Sequence, residues 1–156
     1  YTALQTGVID ATEWVGPYND LAFGFQQVAK YYYFPGWHEP GSMLEFIINL
    51  DAWNELPTYL QSIVKTAAKA VNQDLLDEYT AMNNQALREL IDVHNVQLKK
   101  LPDDVINEFR VISKSVLDEI AENDNQFKSI YESYLKFKSE VVSYHEISED
   151  AYTKIR

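Results

Sequence analysis

An α/β fold, rich in helix, with one very long helix and a few short strands, is what this sequence predicts. Three observations lead there. From Thr58 to His94 no proline or glycine interrupts the chain. Along it Leu60, Val64, Ala67, Val71, Leu75, Tyr79, Met82, Ala86, Leu90 and Val93 recur at spacings of three and four, the helical period. Residues 1–50 instead hold short apolar or aromatic runs bounded by glycine and proline, a strand-and-turn pattern. Beyond the alternating stretch Val96 to Leu101, helical periodicity returns and continues to the end.

The 156 residues suit one ordinary domain, and an apolar share of 46% with 13% aromatics is ample for a packed core. The net charge of -11 argues against a nucleic-acid partner, because phosphate binding needs a basic face. No cysteine is present, which removes disulfides, thiolate nucleophiles and cysteine-type zinc sites. No apolar run approaches the roughly 20 residues of a membrane-spanning helix.

Taken in order, Ala3 and Leu4 with Val8 and Ile9 read as the tail of a helix stopped at Gly7. A helix that starts at its own end suggests a chain that begins mid-protein. Val8 to Val15 reads as a short buried strand ending near Glu13-Trp14. Pro17 suits the first turn of a helix, with Leu21, Phe23, Phe25, Val28 and Ala29 as its apolar side and Lys30 near its end. The aromatic run Tyr31 to Phe34 predicts a strand. Met43 to Leu50 predicts another, apolar on both faces in its second half. Asp51 is placed to cap the short turn Ala52 to Leu56.

The long element after Pro57 would be a rod of about 55 Å at about 1.5 Å per residue. Asn95 is expected to close it. Val96 to Leu101 predicts an edge strand whose lysines discourage aggregation. Pro102-Asp103-Asp104 opens a further helix, acidic where the helix dipole favours it. Residues 122–125 break it. Phe127, Ile130, Tyr131, Tyr134, Leu135, Phe137 and Val141 line the next helix, and Ser148 is placed to cap a last turn from Glu149 to Ile155.

The candidate chemistry lies in two stretches. Ile9-Asp10-Ala11-Thr12-Glu13-Trp14-Val15-Gly16-Pro17-Tyr18 sets a carboxylate beside a tryptophan and a turn. Tyr31-Tyr32-Tyr33-Phe34-Pro35-Gly36-Trp37-His38-Glu39-Pro40-Gly41 does so again. Glu13 and Glu39 converging with backbone carbonyls would make an oxygen site for a hard cation, Na⁺ or Ca²⁺. Such a cation could hold an anionic ligand by its carboxylate, with Trp14 and Trp37 as apolar walls. Against this stands the plain reading of Glu13 as a solvated turn residue and Trp14 as core. His94 and His145 read as structural. His38 sits against Glu39 between two Pro/Gly breaks, which leaves open a metal-assisted hydrolase with Glu39 or His38 as general base. No Gly-x-Ser-x-Gly, Gly-x-Gly-x-x-Gly, Walker or His-Glu-x-x-His motif occurs. A helical interaction fragment without ligand is the third reading.

Both stretches resemble the signatures of the extracytoplasmic solute-binding proteins of TRAP transporters, most closely the branch that binds 2-oxo acids and lactate. The stretch from Ala52 to His94 is similar to that family's long helix, which lies across both lobes. The resemblance covers essentially the whole chain but maps to the C-terminal half of such a protein. It implies the C-terminal portion of a two-lobed periplasmic binding protein, not an enzyme. On this resemblance Glu13 coordinates a metal ion, Trp14 offers its backbone carbonyl, Glu39 is a further ligand, and Trp37 and His38 border the pocket. The family's substrate-gripping arginine and its glutamine metal ligand belong to the N-terminal half and have no counterpart here. The resemblance also implies a small organic acid, the transporter's membrane subunits and that other half as partners, and a homodimer through the C-terminal helices. The chain then divides into residues 1–50 carrying the ligand and metal site, 51–95 as the lobe-spanning helix, and 96–156 as edge strand and C-terminal helices. A long helix short of one lobe would expose part of its apolar stripe, so self-association is expected as well.

Overall fold

A computed structural model describes residues 1–37, 39–41 and 44–156. They form two compact units, Tyr1–Leu101 and Pro102–Arg156. The helix-rich α/β class holds, with the long helix in place and two short strands among the described residues.

The first unit opens with α1, Thr2–Gln5. Gly7 lies in the left-handed region at φ 70, where glycine carries no Cβ penalty. The Val8 amide then donates to the Ala3 carbonyl at 2.9 Å and the Gly7 amide to Leu4 at 3.2 Å. Together these bonds satisfy the last carbonyls of the helix. The strand expected over Val8 to Val15 does not form; these residues are irregular and exposed. β-Branched residues favour extended backbone, but a strand needs a partner for its amides and carbonyls. Among the described residues the sheet consists of two other segments.

Helix α2, Pro17–Phe23, starts with proline at its first position and ends at Gly24, left-handed at φ 79. The expected continuation to Lys30 is therefore cut. Phe25–Gln27 makes a separate 3₁₀ turn instead. Strand β1, Tyr31–Phe34, pairs in parallel with β2, Gln97–Lys100, in the register Tyr31 to Gln97 through Phe34 to Lys100. The Gln97 amide donates to Lys30 at 2.8 Å and the Leu101 amide to Phe34 at 2.8 Å, extending the ladder at both ends.

Of the strand expected from Met43 to Leu50, Met43 lies outside the described residues. Residues 44–49 are irregular and Leu50 begins a helix. Phe46 and Ile47 are 71% and 80% exposed, so the alternation finds no neighbouring strand to bury it. Helix α3, Leu50–Glu55, is capped by Asn49, whose Oδ1 accepts from the Ala52 amide at 3.1 Å. Asp51 thus sits inside the first turn rather than capping it, where a carboxylate still suits the dipole. The Gln61 side-chain amide ties this helix to the next, donating to the Trp53 carbonyl at 2.9 Å and to Leu56 at 3.2 Å.

Helix α4, Thr58–Asp92, has 35 residues, a rod of about 52 Å at about 1.5 Å per residue. The cap position falls to Val93, and Asn95, expected to close the helix, takes the left-handed turn two residues on at φ 56. Asparagine tolerates that conformation. The Val96 amide reaches back to Leu90 at 2.9 Å, which aims the chain into β2. The core of this unit lies where α2 meets the C-terminal half of α4, with Ala86, Leu90 and Val96 buried. Two contacts fix that meeting. Tyr18 packs edge-on to Tyr79 with centroids 5.9 Å apart. Asn83 Oδ1 accepts from the Tyr18 amide at 2.9 Å. That amide is one of the donors a helix N-terminus leaves open, so a side chain 65 residues away does the work of a cap. Gly16 makes room: a Cβ there would stand 3.2 Å from Asn83 Oδ1. Ahead of that meeting the α4 stripe is uncovered at Ala67, Val71 and Leu75, while Leu60 and Val64 nearer its N-terminus are half-buried.

The second unit is α5 (Asp103–Asn123), α6 (Asn125–Ile147) and α7 (Glu149–Lys154). Asp103 and Asp104 occupy the first turn of α5, as the dipole favours. The break expected over 122–125 narrows to Asp124, whose Oδ1 accepts from the Gln126 and Phe127 amides at 2.8 and 2.9 Å. Ser148 does not cap α7 with its side chain. Its hydroxyl donates back to the Tyr144 carbonyl at 2.8 Å, closing α6 instead. Phe127 and Tyr131 stack at 5.7 Å and are half-buried, whereas Tyr134 and Phe137 are exposed.

Asn83→Ala should lower the unfolding free energy by about 1 kcal/mol, the usual cost of a lost N-terminal cap. Denaturant titration of the two chains checks this. An unchanged midpoint would show that the Tyr18 amide needs no partner from α4.

Candidate functional site

The Glu13-Trp14 segment leads directly into α2, and the helix holds it. Trp14, 49% exposed, lays its ring against Phe23 with centroids 5.3 Å apart, and Phe23 stacks on Phe25 at 5.5 Å. Glu13 is exposed. Trp37 and Glu39 follow β1, in the irregular segment beyond Phe34; Trp37 is 44% exposed and Glu39 is exposed. His38 lies outside the described residues.

Between these two segments sits a pair that sequence reasoning did not single out. On a strand, alternate side chains point to opposite faces. Tyr31 and Tyr33 share one face, their rings 6.5 Å apart. Tyr32 points the other way, and its hydroxyl donates to Asp20 Oδ2 at 2.5 Å. Asp20, on α2, is 8% exposed. Burial raises its pKa above the ordinary carboxylate value; the Tyr32 hydrogen bond and the backbone amides of Val15 and Gly16 oppose that rise without cancelling it. Among the described residues, Asp20 Oδ1 is buried without a hydrogen-bond partner. Tyr32 is pushed well above its usual range, first by burial, then by the Asp20 hydrogen bond and charge, and last by the charge of Glu13. Tyr32 is therefore a neutral donor at any physiological pH, and Glu13 lies near enough for its charge to act there.

The geometry thus brings Glu13 and Trp14 to the start of α2 and Trp37 and Glu39 to the end of β1, with Asp20 and Tyr32 joining the two elements. Glu13, the Trp14 carbonyl and Glu39 are all oxygen donors, the kind a hard cation prefers. Such a cation takes about 6 to 8 oxygens. Among the described residues no group of three or more acidic, histidine or cysteine side chains converges as a metal site. The donor chemistry fits calcium or sodium, and the donor count calls for further oxygens. Tyr32 could have been found in the sequence from its alternation with Tyr31 and Tyr33. Asp20 carried no signal beyond a first-turn carboxylate, which reads as a dipole partner.

Comparison with known proteins gives three results. The family model described as DctP, bacterial extracellular solute-binding protein, family 7, matches residues 1–124. A monocarboxylate 2-oxoacid-binding periplasmic protein of Nostoc sp. is 38% identical over 152 residues, covering 97% of this chain and 42% of that protein. A crystal structure of a TRAP transporter solute binding protein from Bordetella bronchiseptica RB50 superposes with TM-score 0.91 at 34% identity, over 99% of this chain and 46% of that one. It is described as a mixed occupancy dimer, with copurified calcium and picolinate in one active site and the other apo. The chain spans less than half the length of either relative.

The Asp20 shift has a stability consequence of defined sign. A carboxyl whose folded pKa is raised contributes stability that is full below its unfolded value, 3.8, and lost as pH rises through the folded value. Asp20→Asn cannot ionise. Its stability relative to the parent should therefore rise as pH increases above 3.8, through the raised folded value. Urea denaturation of both chains at matched pH checks this, and a constant difference would mean that the carboxyl titrates alike in both states.

Proposed function

We propose a function from one premise: this chain belongs to the DctP family, the bacterial extracellular solute-binding proteins of family 7. It forms part of the substrate-binding subunit of a TRAP-type secondary transporter. The subunit captures a small organic acid in the periplasm and delivers it to the membrane subunits. The relatives are binding proteins rather than enzymes, which sets the hydrolase reading aside. Among the described residues no helix is long and apolar enough to cross a membrane.

The observation that carries the reading is the calcium and picolinate copurified with the Bordetella protein, whose fold this chain matches over 99% of its length. Picolinate sets a ring nitrogen beside its carboxylate, and a 2-oxo acid sets a carbonyl oxygen there. Each can chelate one cation through a five-membered ring, so one cation site serves both. A bound calcium or sodium ion would supply positive charge between protein oxygens and the acid's carboxylate. In this chain Glu13 and Glu39 offer carboxylates to it and Trp14 its backbone carbonyl. Trp14, Trp37 and His38 border the acid and exclude water, which strengthens the charge interaction. The remaining donors come from the part of the protein outside this sequence. Closure of two lobes around the filled site is the expected conformational step.

The second unit serves assembly. Tyr134, Phe137 and Val111 leave apolar area exposed on α5 and α6, enough to favour burial against another copy. The Bordetella relative is itself a dimer.

Two experiments test this. Pyruvate or lactate at about 100 times its dissociation constant should stabilise the full-length protein by about 2.7 kcal/mol, and only with calcium or sodium present. Glu13→Gln should weaken that ion-dependent binding at least about tenfold, as loss of a charged ligand oxygen implies. Thermal unfolding and calorimetric titration read both; ion-independent binding of the acid would refute the bridge. Separately, Phe137→Lys with Tyr134→Lys should shift the protein to monomer in sedimentation equilibrium, and an unchanged dimer would place the interface elsewhere.

A further inference from the structure

The two segments that bear the proposed oxygen donors hang from different elements. Trp14 and Glu13 lie three and four positions before Pro17, the first residue of α2. Trp37 and Glu39 lie three and five beyond Phe34, the last residue of β1. Whatever fixes α2 against β1 fixes the points from which these two segments leave. On its other sides each element is held differently. α2 is pinned to α4 through Asn83 and Tyr18, and β1 is laddered to β2 through its backbone. Among the described residues, α2 and β1 are joined to each other by the side-chain bond from Tyr32 to Asp20.

We infer that Tyr32 is a positioning residue for the cation and carboxylate site, acting through its hydrogen bond to Asp20. The inference rests on the metal-bridged reading above. A hydroxyl-to-carboxylate bond of 2.5 Å is at the short end for an ionised acceptor, and such bonds are stronger and more directional than neutral ones. The carboxylate is buried, so it accepts from Tyr32 with little competition from water. An apolar pair of the same volume could join a helix to a strand without burying a charge. What it would not do is fix the distance and angle between them. Partners standing behind metal ligands commonly change metal affinity by about 10- to 100-fold when removed, because they orient the ligands.

The test compares Tyr32→Phe and Asp20→Asn with the parent in the full-length protein. Calcium is titrated with picolinate or pyruvate present, well below the unfolding temperature. Phenylalanine fits the same space but leaves Asp20 Oδ2 without its donor. Asparagine keeps a carbonyl oxygen that accepts from Tyr32. Tyr32→Phe should raise the calcium dissociation constant about tenfold, while Asp20→Asn stays within about threefold of the parent, about 0.65 kcal/mol. A folded Tyr32→Phe with parental calcium affinity and a lowered melting temperature would overturn the inference and leave the bond purely structural. Equal loss in both variants would also overturn it, since one of them retains the hydrogen bond. If the parent itself binds neither acid in a calcium-dependent way, the metal-bridged reading fails and the positioning role with it.

Discussion

The Tyr18 amide and Asn83 Oδ1 hold the first unit to its plan. That bond seats the N-terminus of α2 on the C-terminal half of α4. Once α2 is seated, Gly16 lies close against Asn83, Tyr18 reaches Tyr79, and Ala86 and Leu90 are buried beneath. Asp20, one turn further along α2, is then aimed at β1. Glycine is an ordinary choice just before a helix, whereas an asparagine in the middle of another helix is a poor one by local propensity. Both are explained by one close approach between two elements far apart in sequence.

The site inherits its stiffness from this packing. Trp14 leans on Phe23, so the segment carrying Glu13 moves with α2. Trp37 and Glu39 follow β1 within three and five residues of its end. A binding protein has reason to keep donors on rigid supports, because a cation site loosened by an ångström loses much of its selectivity. The buried Asp20 charge works against stability in return, as its raised pKa records.

Local rules made much of this legible. Helices α4, α5 and α6 follow from apolar spacing, and β1 and β2 from aromatic and alternating runs. Gly7 and Pro17 mark their boundaries correctly. What failed needed a partner to decide it. Val8 to Val15 and residues 44–49 have strand-like composition but no described strand beside them. Gly24 ended α2 early because its left-handed turn outweighed the apolar pattern continuing to Ala29. Asn49 rather than Asp51, and the backward-bonding Ser148, show that a cap is chosen by backbone geometry among several polar candidates. The two segments with Glu13 and Glu39 were visible as motifs. Asp20 and Asn83 were not, because what marks them is the distance between elements, and Tyr32 was marked only by its alternation with Tyr31 and Tyr33.

The parallel pairing of β1 with β2 carries a consequence for how the molecule comes into being. Tyr31 pairs with Gln97, a sequence separation of 66 that must be closed before the ladder gains anything. Helix α4 forms from local contacts on a scale of about a microsecond. Once formed, it is a stiff rod of about 52 Å, so residues 35–57 must run back along it before β1 can meet β2. Pairing of β1 with β2 is therefore the non-local, entropically costly contact of this unit, and α4 its local one. The elements from which the Glu13 and Glu39 segments leave therefore owe their placement to contacts distant in sequence.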